Sequence, residues 1–282
     1  MSLAALLVVL VALASAGCGA PVRPEQQAAM LADKGRSEDA IELLRAHLAK
    51  HPDDLPARRQ LVRVLALTGK LDEVERAVAE LAERAGPGDP SPLIELGHAF
   101  ELSHRYEEAL VAYDRAADAA PKDPRGPRTG GLRAARWGAP ELAEPRLVEA
   151  LRRDATDART WHALGLVRVQ LGDLSAARTA YSRGLVANPS AIENRVGLAT
   201  VALVEGDAAA ALVEYDALAA ARPRLGDVQL GRALCLLKLG RLTEAEQAIA
   251  RAESLGASRR VVARQRALLG RLRMASEEQK NR

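Results

Sequence analysis

Apolar residues in this chain recur at two nested periods. Within short runs they fall three and four positions apart, the spacing of one helix face. The runs themselves return in pairs about every 34 residues. Residues 158–189 show the unit most clearly: a run around Trp161, Leu164 and Gly165, a break at Gly172, a second run around Ala177 and Tyr181, and a stop at Pro189. The small residue opening each second run falls at Ala40, Val74, Ala109, Ala143, Ala177, Ala211 and Ala245, at gaps of 34, 35, 34, 34, 34 and 34. A large residue follows in phase at Leu44, Val78, Tyr113, Leu147, Tyr181, Tyr215 and Ile249. Gly35, Gly69, Gly138, Gly172, Gly206 and Gly240 mark the turns, and Pro52, Pro121, Pro189 and Pro223 close units. The pattern predicts seven helix-turn-helix units within 18–257 and no sheet. No unit buries its apolar face alone, so each is stable only against its neighbours. A capping helix is predicted over 258–275, where Val261, Val262, Leu268, Leu269 and Leu272 form a stripe and Arg260, Arg264 and Arg271 lie on another face. Residues 276–282 read as a disordered tail.

The fourth unit is irregular. Gly130 and Gly131 sit in its first run, Pro145 lies inside its second, and 121–128 is rich in helix breakers. Either the unit is degenerate or the chain bends near 120–145.

The order of small, large, glycine and proline positions resembles the tetratricopeptide repeat over nearly the whole chain after residue 18. The resemblance implies an all-α, right-handed solenoid of about seven repeats with a C-terminal capping helix. It also implies a concave groove, lined by first helices, that binds proteins or peptides. In that register the groove positions include Arg59, Arg63, His98, Arg125, Arg128, Arg159 and His162 in repeats two to five. In repeats five to seven they include Leu166, Val169, Val196, Thr200, Leu203, Leu230, Leu234 and Leu237. A basic stretch and an apolar stretch are therefore expected. An apolar stretch left open to water marks an interface, unless the superhelix or the cap covers it. The carboxylate clamp of this family needs Asn at the ninth position, where this chain has Ala29, Arg63, His98, Leu132, Leu166, Thr200 and Leu234, so that use is not expected.

Composition narrows the picture. Hydrophobic residues make up 48% of the chain but aromatics only 2%, so Ala and Leu supply the burial, which suits close helix packing. The net charge is +3, unevenly spread: 222–282 holds 14 Lys/Arg against 6 Asp/Glu. That stretch has almost no aromatics to stack bases, and it reads as a solvated face rather than a nucleic-acid surface. Two cysteines, Cys18 and Cys235, are too few for a disulfide framework or a zinc site. Cys235 lies in an apolar run and reads as a small hydrophobe.

The first residues stand apart. Residues 3–14 are unbroken apolar sequence, too short to span a membrane comfortably and matching the core of a secretory signal. Ser15-Ala16-Gly17-Cys18 resembles a bacterial lipoprotein box, in which the cysteine is acylated and becomes the new N-terminus. It departs from that pattern twice: no Lys or Arg precedes the run, and Ser15 stands where Leu is usual. The resemblance implies a signal peptide over 1–17, a lipid on Cys18, and a position on the periplasmic face of a bacterial outer membrane. A plain secretory signal and an uncleaved anchor are the other readings.

No catalytic constellation is present in the sequence. His47 and His51 lie four apart without the Glu of a zincin helix, and His98, His104 and His162 have no matching ligands. No phosphate loop or nucleophile elbow occurs. A non-enzymatic scaffold without metal or cofactor is expected. Lipid box and repeats together resemble the pilotin lipoproteins of type IV pili, which help a secretin assemble. Scaffolds for β-barrel assembly or cell-wall enzymes, and a regulatory subunit of a polysaccharide export complex, are the alternatives.

Overall fold

A computed structural model describes residues 22–280; the leader with Cys18 lies outside them. Fifteen helices and no strand occur among the described residues. They are α1 (Pro24–Asp33), α2 (Ser37–Lys50), α3 (Leu55–Leu67), α4 (Leu71–Ala85), α5 (Ser91–Leu102), α6 (Tyr106–Ala119), α7 (Arg125–Arg136) and α8 (Pro140–Arg153). The second half comprises α9 (Ala158–Gln170), α10 (Leu174–Ala187), α11 (Ile192–Val204), α12 (Ala208–Ala221), α13 (Gly226–Lys238), α14 (Leu242–Ser254) and α15 (Arg259–Lys280). α1 to α14 form seven antiparallel pairs, one per predicted unit.

The turn after α9 shows how each pair closes. Gly172, at φ 82°, takes the left-handed conformation that a side chain disfavours. The next residue, Asp173, donates its N–H to the Arg168 carbonyl and ends α9. Its carboxylate accepts from the Ala176 N–H and starts α10. The same six-residue backbone bond recurs after α1, α5, α7, α11, α13 and α14. In repeat three the left-handed position is filled by His104, at φ 58°, rather than glycine.

All seven marker residues, from Ala40 to Ala245, are fully buried. The small contacts have steric causes: a Cβ on Gly97 would overlap the Tyr113 ring, and one on Gly165 or Gly197 would overlap the Tyr181 ring. Tyr113, Leu147, Tyr181 and Tyr215 thus fill hollows left by glycines, at interior packing density, and in repeats one, two and seven Ala28, Val62 and Ala233 stand at the first-helix position instead.

Repeat four is not broken. Gly126 packs against the Ala116–Ala117 backbone and Gly131 against Leu147, so its glycines are close-approach positions. α8 runs through the exposed Pro145 without interruption. The core is continuous across 120–145, within one cluster from Ala28 to Ala180. The change there is on the other side: α5 and α7 pack more loosely side by side than other successive first helices, and are joined by polar contacts of Arg133 with Glu101 and of Arg125 with Ser91. A second cluster runs from Ala199 to Leu269, and a small third one lies between the two, with Ala177, Tyr181 and Val201 buried and Val169, Leu174 and Leu198 packed against them. At this junction the buried Asn194 of α11 donates to the Ala158 carbonyl at 2.9 Å.

The expected disorder from 276 is corrected. α15 continues to Lys280, because Glu277, Glu278, Gln279 and Lys280 are good helix formers and no breaker intervenes.

Candidate partner-binding face

First helices touch first helices: α1 with α3, α3 with α5, α7 with α9, α9 with α11, and α11 with α13. Second helices do not pack on one another in this way. Crowding on one side and splaying on the other put the first helices on the inner face.

The basic stretch of that face is largely satisfied by the protein's own carboxylates. Arg63 makes two hydrogen bonds to Glu95, at 2.8 and 2.5 Å, from one first helix to the next. Glu95 is only 5% exposed; burial pushes its pKa up, yet the His98 and Arg63 contacts outweigh this and hold it below the usual carboxylate value. His98 lies edge-on to Tyr113 at 5.7 Å. Arg125 binds Asp123, Asp89 and the Ser91 hydroxyl. Arg128 donates to Asp157 at 3.0 Å, and Asp157 also caps α9. Arg59 and Arg159 make no ion pair among the described residues. His162 packs beside Tyr181 at 5.8 Å, and burial lowers its pKa, which favours the neutral ring.

The apolar stretch divides. Leu166 is 48% exposed and stands free on the inner face. Val169, Val196 and Leu234 are half-buried against the core. Thr200 donates its hydroxyl to the Val196 carbonyl or meets the Tyr215 hydroxyl at 3.1 Å. Leu203, Leu230 and Leu237 are 6%, 6% and 2% exposed, so they line no groove and belong to the core. Their positions fall in the seams between successive first helices. α15 closes the last seam, where the Gln265 amide donates to the Leu230 carbonyl at 2.9 Å.

Three residues absent from the expected lining belong to this face. Leu132, 43% exposed, precedes Leu166 in the same row. Glu193 and Asp227, both exposed, continue the row that holds Arg125 and Arg159. The 34-residue register carries the signal for all three. It places a sign reversal along one edge, cationic in repeats four and five and anionic in six and seven. A cleft of about 610 Å³ opens between α7 and α9, walled by Arg128, Leu132, Asp157, Arg159 and Thr160.

No cluster of three His, Cys, Asp or Glu suited to a metal occurs among the described residues. His47 donates its Nε2–H to the Asp54 carboxylate at 2.8 Å, and Asp54 caps α3. Cys235 is buried, which pushes its thiol up to about 11. No helix among the described residues is long and apolar enough to cross a membrane.

Tetratricopeptide repeat profiles match residues 31–87, 130–192 and 196–259. The chain belongs to the tetratricopeptide repeat family. No curated protein matches it. Among solved structures it is similar to the C-terminal part of a repeat-containing protein from Cytophaga hutchinsonii, with TM-score 0.62 and 15% identity over 85% of this chain and 98% of that one. A tetratricopeptide repeat protein from Parabacteroides merdae matches with TM-score 0.52 and 17% identity over 87% and 97% of the two chains. PilF of Pseudomonas aeruginosa matches with TM-score 0.52 and 20% identity over 72% and 88%. At these identities the likeness is one of fold. Repeats of this family typically bind other proteins or peptides, and the exposed part of the inner face is where this tetratricopeptide protein offers unsatisfied apolar surface.

Proposed function

We propose that this protein is a non-catalytic scaffold that takes an aliphatic segment of a partner protein along the inner face of repeats four to six. The observation that carries this reading is the exposed Leu132–Leu166 ridge beside the 610 Å³ cleft. The ligand's acidic flank lies toward Arg159 and its basic flank toward Glu193 and Asp227. Such rim charges set direction and on-rate more than affinity. The segment 15–18 supports a lipid anchor on Cys18, and with it a place on the periplasmic face of an outer membrane. The resemblance to pilotins supports a role in assembling an outer-membrane complex such as a pilus secretin.

Leu166→Asp tests the ridge. It should abolish recovery of partners by crosslinking from native membranes while leaving the melting temperature unchanged, because Leu166 is exposed. Leu203→Asp should instead unfold the C-terminal repeats. Undiminished crosslinking to Leu166→Asp would refute the groove. For the anchor, intact-mass measurement of the native protein should find acyl groups on Cys18, and an unmodified thiol there would remove that part of the reading.

A further inference from the structure

We propose that α15 is the first helix of an eighth repeat and that its outer face seats an acidic amphipathic helix from a partner protein. This site is separate from the inner face and does not rest on its role.

α15 packs on α13 and α14 as earlier first helices pack on the two helices before them. The register continues into it. The position that receives each repeat's own second helix is Ala28, Val62, Gly97, Gly131, Gly165, Ala199 and Ala233, every one of them buried. The next step of 34 lands on Ala267, which is exposed. Three residues further along, Leu65, Phe100, Ala134, Ala202 and Leu236 are buried, whereas their counterpart Gly270 is exposed, with no atom within 4 Å of where a Cβ would stand. In earlier repeats a second helix covers this face, with Tyr113 over Gly97 and Tyr181 over Gly165. None of the described residues covers it on α15. A cleft of about 350 Å³ opens beside it, between α14 and α15, with Ile249, Leu269 and Gly270 in its wall.

Charge selects the occupant. α15 carries Arg259, Arg260, Arg264, Arg266, Arg271, Arg273 and Lys280 against Glu277 and Glu278. Arg266 pairs with Glu253 and Arg273 with Glu246 of α14. Arg259, Arg260, Arg264 and Arg271 pair with nothing among the described residues. A second copy would set like charges face to face. Residues 1–21 hold no carboxylate to meet these cations. A bilayer would find only Val261 and Met274 as large exposed apolar groups, and no aromatic, for insertion. A helix with small and apolar residues on one face and carboxylates along its flanks meets both the hollow and the charge.

The protein's own α6 supplies a probe of this type: Ala109 and Tyr113 are its packing residues, and Glu107, Glu108, Asp114 and Asp118 outnumber Arg115. A fluorescent synthetic peptide of residues 106–119 is titrated with the full-length protein. Saturable binding is expected. It should weaken at least about tenfold, on the order of 1.4 kcal/mol, when Ala267→Trp fills the seat, with the melting temperature unchanged. Replacing the four carboxylates of the peptide by amides should weaken it similarly. No binding, or binding indifferent to Ala267→Trp, overturns the proposal. Loss of binding in Leu166→Asp overturns it too, by placing the peptide in the inner groove. A dimer that Ala267→Trp dissociates assigns the face to a second copy. Capture by phosphatidylglycerol vesicles that Arg264→Glu/Arg271→Glu abolishes, without peptide binding, assigns it to a membrane.

Discussion

Glu95 shows what single side chains contribute. It lies in the interior seam between repeats two and three, and its ionised form is held by Arg63 and His98. Its folded pKa lies below the unfolded value of about 4.3, so its stabilisation is fully present above that pH and is lost as pH falls through the folded value. Glu95→Gln should lower stability at neutral pH by roughly 1–3 kcal/mol. Thermal melts from pH 7 to pH 3 should show the deficit shrinking as the wild type loses its own carboxylate. Glycines give a paired expectation. Gly165→Ala drives a methyl into the Tyr181 ring and should destabilise by about 1–3 kcal/mol despite better helix propensity. Gly270→Ala meets open space and should stabilise by up to about 1 kcal/mol. Urea midpoints separate the two. Neither difference follows from composition: both positions are glycines inside first helices, and only the presence or absence of a covering tyrosine distinguishes them.

Helices and their pairing were the most legible level. The 34-residue register located all seven pairs because a small-to-medium first-helix position and a large second-helix residue recur in phase in each. What the register did not reveal is lateral. The bonds of Arg63 to Glu95 and Arg128 to Asp157 join residues about one repeat apart, so the expected basic stretch is mostly neutralised. Leu203, Leu230 and Leu237 share a face with Leu166 by periodicity, yet the closeness of neighbouring first helices takes them into the seam. Arg153 of α8 is another such case. It donates to the carbonyls of Ala117, Ala120 and Asp123, closing the end of α6. Arg153→Ala should destabilise by roughly 2–3 kcal/mol by leaving those carbonyls without a charged donor. Pro145 works in the opposite sense. It is exposed within α8 and removes one backbone bond, so Pro145→Ala should raise the urea midpoint, by as much as about 3 kcal/mol in stability.

The whole molecule is not equally cohesive along its length. The buried apolar core divides at α10 and α11, where the small group of Ala177, Tyr181 and Val201 lies between the two large clusters and the Asn194 amide reaches back to the start of α9. In a solenoid, stability is a sum over neighbouring contacts, so a weak contact is where the ends separate. Both tryptophans, Trp137 and Trp161, pack against the N-terminal cluster, while helix is spread over both. Urea unfolding followed by tryptophan fluorescence should therefore fail to coincide with unfolding followed by circular dichroism. Coincident curves would show that this junction transmits full cooperativity.

The single gap of 35 among gaps of 34 has a consequence for how this chain can change length. The extra residue falls between Val74 and Ala109, where α4 is followed by a loop with Gly86 and Gly88 both in the left-handed region. Rotation along a helix advances about 100° per residue, so one residue added inside α9 would turn every later contact away from its partner. Added in the loop, it leaves the phase of both flanking helices intact. The molecule thus behaves as a phased array with a slip joint, and the exposed residues 87–88, ahead of the Asp89 that holds Ser91 and Arg125, are where a tag or label can be spliced without disturbing the fold.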